Sequence, residues 1–273
     1  MREQLMKLLG TKQSIKDKAL KELENKEMKF IKKYQEVEDS WVTQTLQNKV
    51  PEKLQEKLDL AFKKAFEWVF EKGTIVIEKS YQKKDYEQTF QVNAFSAKLK
   101  QDKKTIQTFS KEAQKSRTKN LLVSGIEGVG MGALGIGLPD IPIFTGVLLK
   151  SIYEIALSYG FTYDTEEEQF FILKVIEVSL SHGEVLVSSN QMINEWIEKP
   201  MQRESHLMKE QMTRTAKALS NELLYMKFLQ GIPIVGVVGG IADTVYLKRI
   251  TTYAQLKYKR QFLQTNQIMQ YYH

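Results

Sequence analysis

The sequence predicts an all-α protein, a multi-helix bundle with two Gly/Pro-rich apolar segments packed at its centre. Three observations predict it. Apolar residues recur at a spacing of three to four over most of the 273 residues. Glycines and prolines fall between those stretches, where helices start and stop. Two apolar segments, residues 121–149 and 228–247, are rich in glycine and carry Ile-Pro-Ile turns. Such a composition suits helices whose backbones approach closely.

In chain order, residues 12–47 read as one long amphipathic helix. Leu20, Leu23, Phe30, Tyr34, Val37 and Trp41 form its stripe, and Glu27 occupies the one polar slot. Pro51 suits the first turn of a second helix, with Leu54, Leu58, Phe62, Ala65 and Val69 as its apolar face and Lys72-Gly73 as its end. The run TIVIEKSY from Thr74 fits a short strand by β-branching, but its surroundings favour a helix. Residues 85–119 continue as polar helix.

The first Gly-rich segment has no Lys or Arg between Lys119 and Lys150, and it holds seven of the 15 glycines. Pro139 and Pro142 bracket its turn, and a second arm runs from Ile141 to Tyr159 and stops at Gly160. Asp164-Thr165 caps the next helix, whose first turn carries Glu166, Glu167 and Glu168. His182-Gly183 breaks that helix, a shorter one reaches Trp196, and residues 201–228 form another. A basic aromatic helix, residues 244–263, closes the domain. The division expected is 1–50 as an N-terminal helical extension, 51–263 as the main domain and 264–273 as a tail.

Ser124, Gly128 and Gly132 are four apart, as are Gly236 and Gly240. Pro233 turns the second segment as Pro142 turns the first. These residues read as close helix contacts. Gly130-Met131-Gly132-Ala133-Leu134-Gly135 matches a dinucleotide fingerprint, but Pro139 cuts short any helix after it and no strand precedes it. No cofactor is implied. The three histidines show no metal-binding spacing and the chain has no cysteine, so no metal is implied either. Neither arm around the first turn is a clean transmembrane span, because Glu127 interrupts the first arm and Lys150 and Glu154 the second.

Charge is uneven. Residues 1–120 hold 27 basic and 18 acidic residues, against 13 and 15 in the remainder. Lys115, Arg117 and Lys119 precede the first apolar segment; Lys248, Arg249, Lys257, Lys259 and Arg260 follow the second. Basic clusters of this kind face an anionic membrane surface, with Tyr246, Tyr253, Tyr258 and Phe262 at headgroup depth. Nucleic acid fits less well, since residues 1–120 offer only Arg2 and Arg117 as forked donors. Among acids, Glu127, Asp140 and Asp243 lie in apolar sequence and are the candidates for general acid–base work. Their simpler role is capping or ion pairing. No small-molecule ligand can be inferred.

Glu127-Gly128, the Leu138–Pro142 turn, Ile152-Tyr153-Glu154-Ile155-Ala156 and Tyr159-Gly160, with Asp164 soon after, resemble the EcsC protein family. Ile232-Pro233-Ile234-Val235-Gly236 and the last helix resemble its C-terminal segment, although an Asn is common there near the position of Asp243. The resemblance covers roughly residues 50–263. It implies a bacterial, cytoplasmic, mostly helical protein, associated through its founding operon with an ABC transporter. The leading expectation is therefore a non-enzymatic accessory or interaction protein, peripheral at the inner face of the plasma membrane, with that surface or a membrane transporter as partner. The competing expectation is a hydrolase-type enzyme using Glu127, Asp140 and Asp243.

Overall fold

The structure, a computed structural model, describes residues 2–36, 50–73, 83–100, 107–113, 140–199, 207–229 and 241–265. Among the described residues the regular structure is helical. Helix α1 is Arg2–Gln35, α2 is Glu52–Trp68 and α3 is Lys83–Lys100. A short α4 covers 107–113. Then follow α5 (Asp140–Ser158), α6 (Glu166–Leu180), α7 (Gly183–Glu198), α8 (Met208–Leu229) and α9 (Ile241–Gln264).

Helix α9 is the organising element. It packs against α1, α5, α6 and α7, while α8 bridges α2 and α6, and α5 lies between α2 and α3. Helix α9 is buried on most sides even though its sequence is basic: Ile250, Tyr253, Ala254, Tyr258 and Phe262 join one continuous core with Leu23 and Phe30 of α1. Aromatic contacts tie that core together. Phe262 meets Phe109 of α4 at 4.8 Å between centroids and Tyr159 at 5.8 Å, and Tyr258 meets Phe171 edge-on at 5.6 Å.

Local sequence explains the helix ends. Pro51 precedes the first helical residue of α2, and its carbonyl accepts from Leu54 N at 2.9 Å. A π-helical turn, Val69–Gly73, extends α2. Helix α5 ends in a Schellman arrangement: Phe161 N donates to Ala156 O at 3.0 Å, and Gly160 N donates to Leu157 O at 2.9 Å. Gly160 has φ +79°, and a Cβ on it would lie 2.3 Å from the Phe90 ring of α3. The Tyr-Gly pair is thus fixed twice, by left-handed backbone and by close packing. Thr165 caps α6 by accepting from Glu168 N, while the Asp164 carboxylate accepts from Thr162 and pairs with Lys83 at 3.4 Å. The Thr162 hydrogen bond, helped by the Lys83 charge, holds the Asp164 carboxyl below the usual range. Gly183, at φ 52°, opens α7 just after the break at His182.

Ile141–Ser158 is long and apolar enough to cross a membrane, but 83% of it is buried inside the protein. Pro142 sits in its first turn, and Glu154 is buried along it. The Thr74 segment, Glu127, Gly128, Gly132, Pro139, Pro233, Gly236, Gly240, Lys115, Arg117 and Lys119 lie outside the described residues. Asp140 and Asp243 lie in the first turns of α5 and α9.

Candidate functional site

The residues that fold α1 onto α9 also build the site. In α1, Leu23, Phe30 and Tyr34 form an apolar stripe that faces α9. At 3.6 residues per turn, Glu27 projects from one flank of that stripe and Lys26, Lys29 and Lys33 from the other. The two flanks meet different surroundings.

On the inner flank, Glu27 is 5% exposed and Lys257 is fully buried. The Lys257 ammonium pairs with Glu27 and donates to Asn190 Oδ1 at 2.6 Å and Asn194 Oδ1 at 2.7 Å, both on α7. Arg260 donates through Nη2 to the other Glu27 oxygen at 2.6 Å, and through Nη1 to Glu198 at 3.2 Å. Tyr253 donates to Asn190 at 2.9 Å, and its burial raises that phenol well above its ordinary value. Burial, reinforced by the Arg260 charge, pushes the Lys257 ammonium well below its ordinary value. One carboxylate thus serves two cations, and three helices meet on it.

A second buried cluster lies about two to three turns earlier on α9. Arg249 donates through Nη1 to Glu222 of α8 at 2.8 Å and through Nη2 to the Ser181 carbonyl at 2.8 Å. The same Nη1 is 3.1 Å from His182 Nε2, which also lies 3.6 Å from Glu222 Oε2. The Tyr34 ring covers the guanidinium, 4.0 Å from Cζ to its centroid.

The outer flank is open. Between α1 and α9 lies a cleft of about 640 Å³ lined by Lys26, Lys29 and Lys33 on one wall and by Lys248, Arg249 and Lys259 on the other. Phe30, Val245 and Leu256 supply apolar surface, and Ser110 of α4 and Tyr159 after α5 line the cleft at its end wall. No carboxylate is among the described lining residues. Both walls follow helix periodicity: 26, 29 and 33 on α1; 245, 248, 249, 252, 255, 256 and 259 on α9. The end wall is tied in place. Gln255 donates to the Ser110 carbonyl at 3.2 Å, and Tyr159 donates to Ser110 Oγ at 3.4 Å. Burial raises the Tyr159 pKa, so this hydroxyl stays a neutral donor.

A model of the EcsC protein family matches residues 17–263. The chain belongs to that family. It is also similar to Protein EcsC of Bacillus subtilis (strain 168), 24% identical over 205 residues, which span 74% of this chain and 76% of that protein. No solved structure matches.

Two expectations from the sequence need correction. The EcsC match begins inside α1, and Leu23, Glu27 and Phe30 belong to the main core, so α1 is part of the domain and not an extension to it. The basic residues after the second apolar segment do not form one outward face. Arg249, Lys257 and Arg260 turn inward because carboxylates wait for them on α1 and α8; Lys259 lines the cleft and is 9% exposed; Lys248 is exposed. Tyr246, Tyr253, Tyr258 and Phe262 are buried too, which removes them from headgroup depth. Arg249 takes Glu222 as its carboxylate partner. Sequence reading passed over Lys26, Lys29 and Lys33. Their spacing beside an apolar stripe was the available signal, and the basic excess of the first 120 residues pointed the same way.

Proposed function

We propose that this EcsC-family protein is a non-enzymatic accessory protein, cytoplasmic and peripheral at the inner face of a membrane. The observation that carries the reading is the cleft: exposed lysines on its α1 wall, a further exposed lysine on α9, and no carboxylate among its described lining residues. Lys26, Lys29 and Lys33 have no ion-pair partner among the described residues. A surface of this kind attracts anionic headgroups at about 1 kcal/mol per lysine. The buried acids support a non-enzymatic role. Glu27 and Glu222 are committed to cations, and Glu168 accepts from Tyr258 at 2.9 Å. A membrane transporter is the partner that the family resemblance implies.

The test is flotation of the whole chain with vesicles of phosphatidylglycerol or phosphatidylcholine, at low salt and at about 0.15 M salt, where screening acts beyond roughly 8 Å. The wild type should float with the anionic vesicles only, and less at the higher salt. The triple variant K26Q/K29Q/K33Q should lose on the order of a hundredfold in affinity, at about 1 kcal/mol for each lysine removed. Equal flotation on both lipids overturns the reading. A shift of duplex DNA that persists at 0.15 M salt, with no flotation, replaces it with nucleic-acid binding.

A further inference from the structure

We infer that the cleft between α1 and α9 is a binding site for one phosphate-bearing amphiphile, with a phosphomonoester head among the lysines and its apolar body along Phe30, Val245 and Leu256. The inference deepens the membrane reading above and rests on it for the source of the ligand.

Charge number argues for the head. Three exposed ammonium groups with no ion-pair partner among the described residues, Lys26, Lys29 and Lys33, line the α1 wall, and no acid is among the described lining residues. A single carboxylate would leave that field largely unbalanced. A phosphomonoester carries close to two negative charges near neutral pH and offers three acceptor oxygens. Geometry argues the same way. Lys26 to Lys33 spans about 10 Å and Lys248 to Lys259 about 16 Å, at 1.5 Å rise per residue. The two rows stand on facing helices of one cleft, so an anion seated in it is approached from both sides. Lysine ammoniums accept an anion from any direction, whereas the one guanidinium is already engaged by Glu222, the Ser181 carbonyl and the Tyr34 face. The site thus selects charge over planar shape. Ser110, which accepts from the buried Tyr159, adds one neutral hydroxyl to the lining.

Apolar surface argues for the body. Free phosphate has no use for Phe30 or Leu256, and a cleft of about 640 Å³ is larger than that ion requires. The volume falls within the range of small-molecule pockets, in which a few polar groups orient a mostly apolar ligand. Val245 is 44% exposed and stands at the cleft wall, where an acyl chain would cover it.

The experiment uses the whole chain and titration calorimetry with three probes: dihexanoyl phosphatidic acid below its micelle concentration, dihexanoyl phosphatidylglycerol and inorganic phosphate. Phosphatidic acid should bind at least about tenfold more tightly than either of the others, a factor that corresponds to about 1.4 kcal/mol. Its affinity should fall as pH drops below about 6, where the monoester takes up its second proton. K26Q/K29Q/K33Q changes only exposed side chains and should lose at least tenfold for phosphatidic acid with an unchanged circular dichroism spectrum. Val245→Gln should weaken phosphatidic acid and leave inorganic phosphate unaffected. Equal binding of phosphatidic acid and inorganic phosphate, or an unaffected triple variant, overturns the inference. If the protein floats on anionic vesicles but does not bind the short-chain lipid, the cleft site fails and the surface reading stands. If it binds the short-chain lipid but does not float, the surface reading fails and the site stands.

Discussion

The two flanks of the α1–α9 interface carry the same residue types and do opposite things. On the inner flank, Lys257 and Arg260 lie buried against Glu27, within a lattice of asparagines. On the outer flank, Lys26, Lys29 and Lys33 stand in solvent along a cleft with no acid among its described lining residues. The switch between them is a rotation of about 100° around α1, the angle between neighbouring residues on a helix. A cation is structural where a carboxylate meets it in the dry interior, and available where none does. Composition cannot distinguish the two.

The largest effect should come from the inner flank. Glu27→Gln leaves Lys257 and Arg260 buried with Glu198, 46% exposed, as the remaining carboxylate of the cluster. Breaking a buried pair from one side costs about 3–5 kcal/mol. Chemical denaturation should show a loss of that order; a loss under 1 kcal/mol, typical of an exposed pair, would collapse the distinction between the flanks. Arg249→Met should follow at about 3 kcal/mol, because Glu222 would remain buried beside His182 without its cation.

A pH experiment sharpens the contrast. Burial lowers the folded-state pKa of Lys257, so between that lowered value and its ordinary 10.5 the unfolded chain binds more protons than the folded one. Stability from this group therefore rises with pH across the window. The difference between wild type and Lys257→Met should grow in favour of wild type as pH rises there, by at most about 1.4 kcal/mol per pH unit. At neutral pH the substitution itself should be nearly neutral, since Glu27 keeps Arg260 and a methionine fits the volume. A pH-independent difference would mean that Lys257 is as well solvated as the outer lysines.

Much of the fold was legible because helix periodicity and Gly/Pro punctuation are local signals. The stop at Gly160, the cap at Thr165 and the break at His182-Gly183 all appear where the sequence puts them. The polar slot at Glu27 was visible as an anomaly in an apolar stripe. Its meaning was not, because its partners lie more than 200 residues away. The same non-local pairing misled the reading of α9. A basic helix after an apolar segment looks like a membrane flank until α1 and α8 bring acids to it. The cleft was hidden for the same reason: each of its walls is an ordinary amphipathic helix alone, and only their apposition makes a site. The Gly128–Gly132 and Gly236–Gly240 contacts fall outside the described residues.

The smallest effect on stability belongs to the outer flank, and it completes the contrast. Lys26, Lys29 and Lys33 are exposed and partnered by no carboxylate among the described residues. Replacing each by Gln should change stability by less than about 0.5 kcal/mol, the usual range for surface positions away from special features. The sign should be slightly favourable at low salt, because three like charges along one helix edge at spacings of three and four repel one another. That gain should vanish as salt rises, since solvent-exposed charges are screened over about 8 Å at physiological ionic strength. Denaturation of K26Q/K29Q/K33Q at two salt concentrations checks it against wild type. A triple variant that is destabilised by more than about 1.5 kcal/mol, three times the single-site limit, would show that these lysines hold α1 in place. The cleft would then be part of the packing, and the two flanks would differ in degree only.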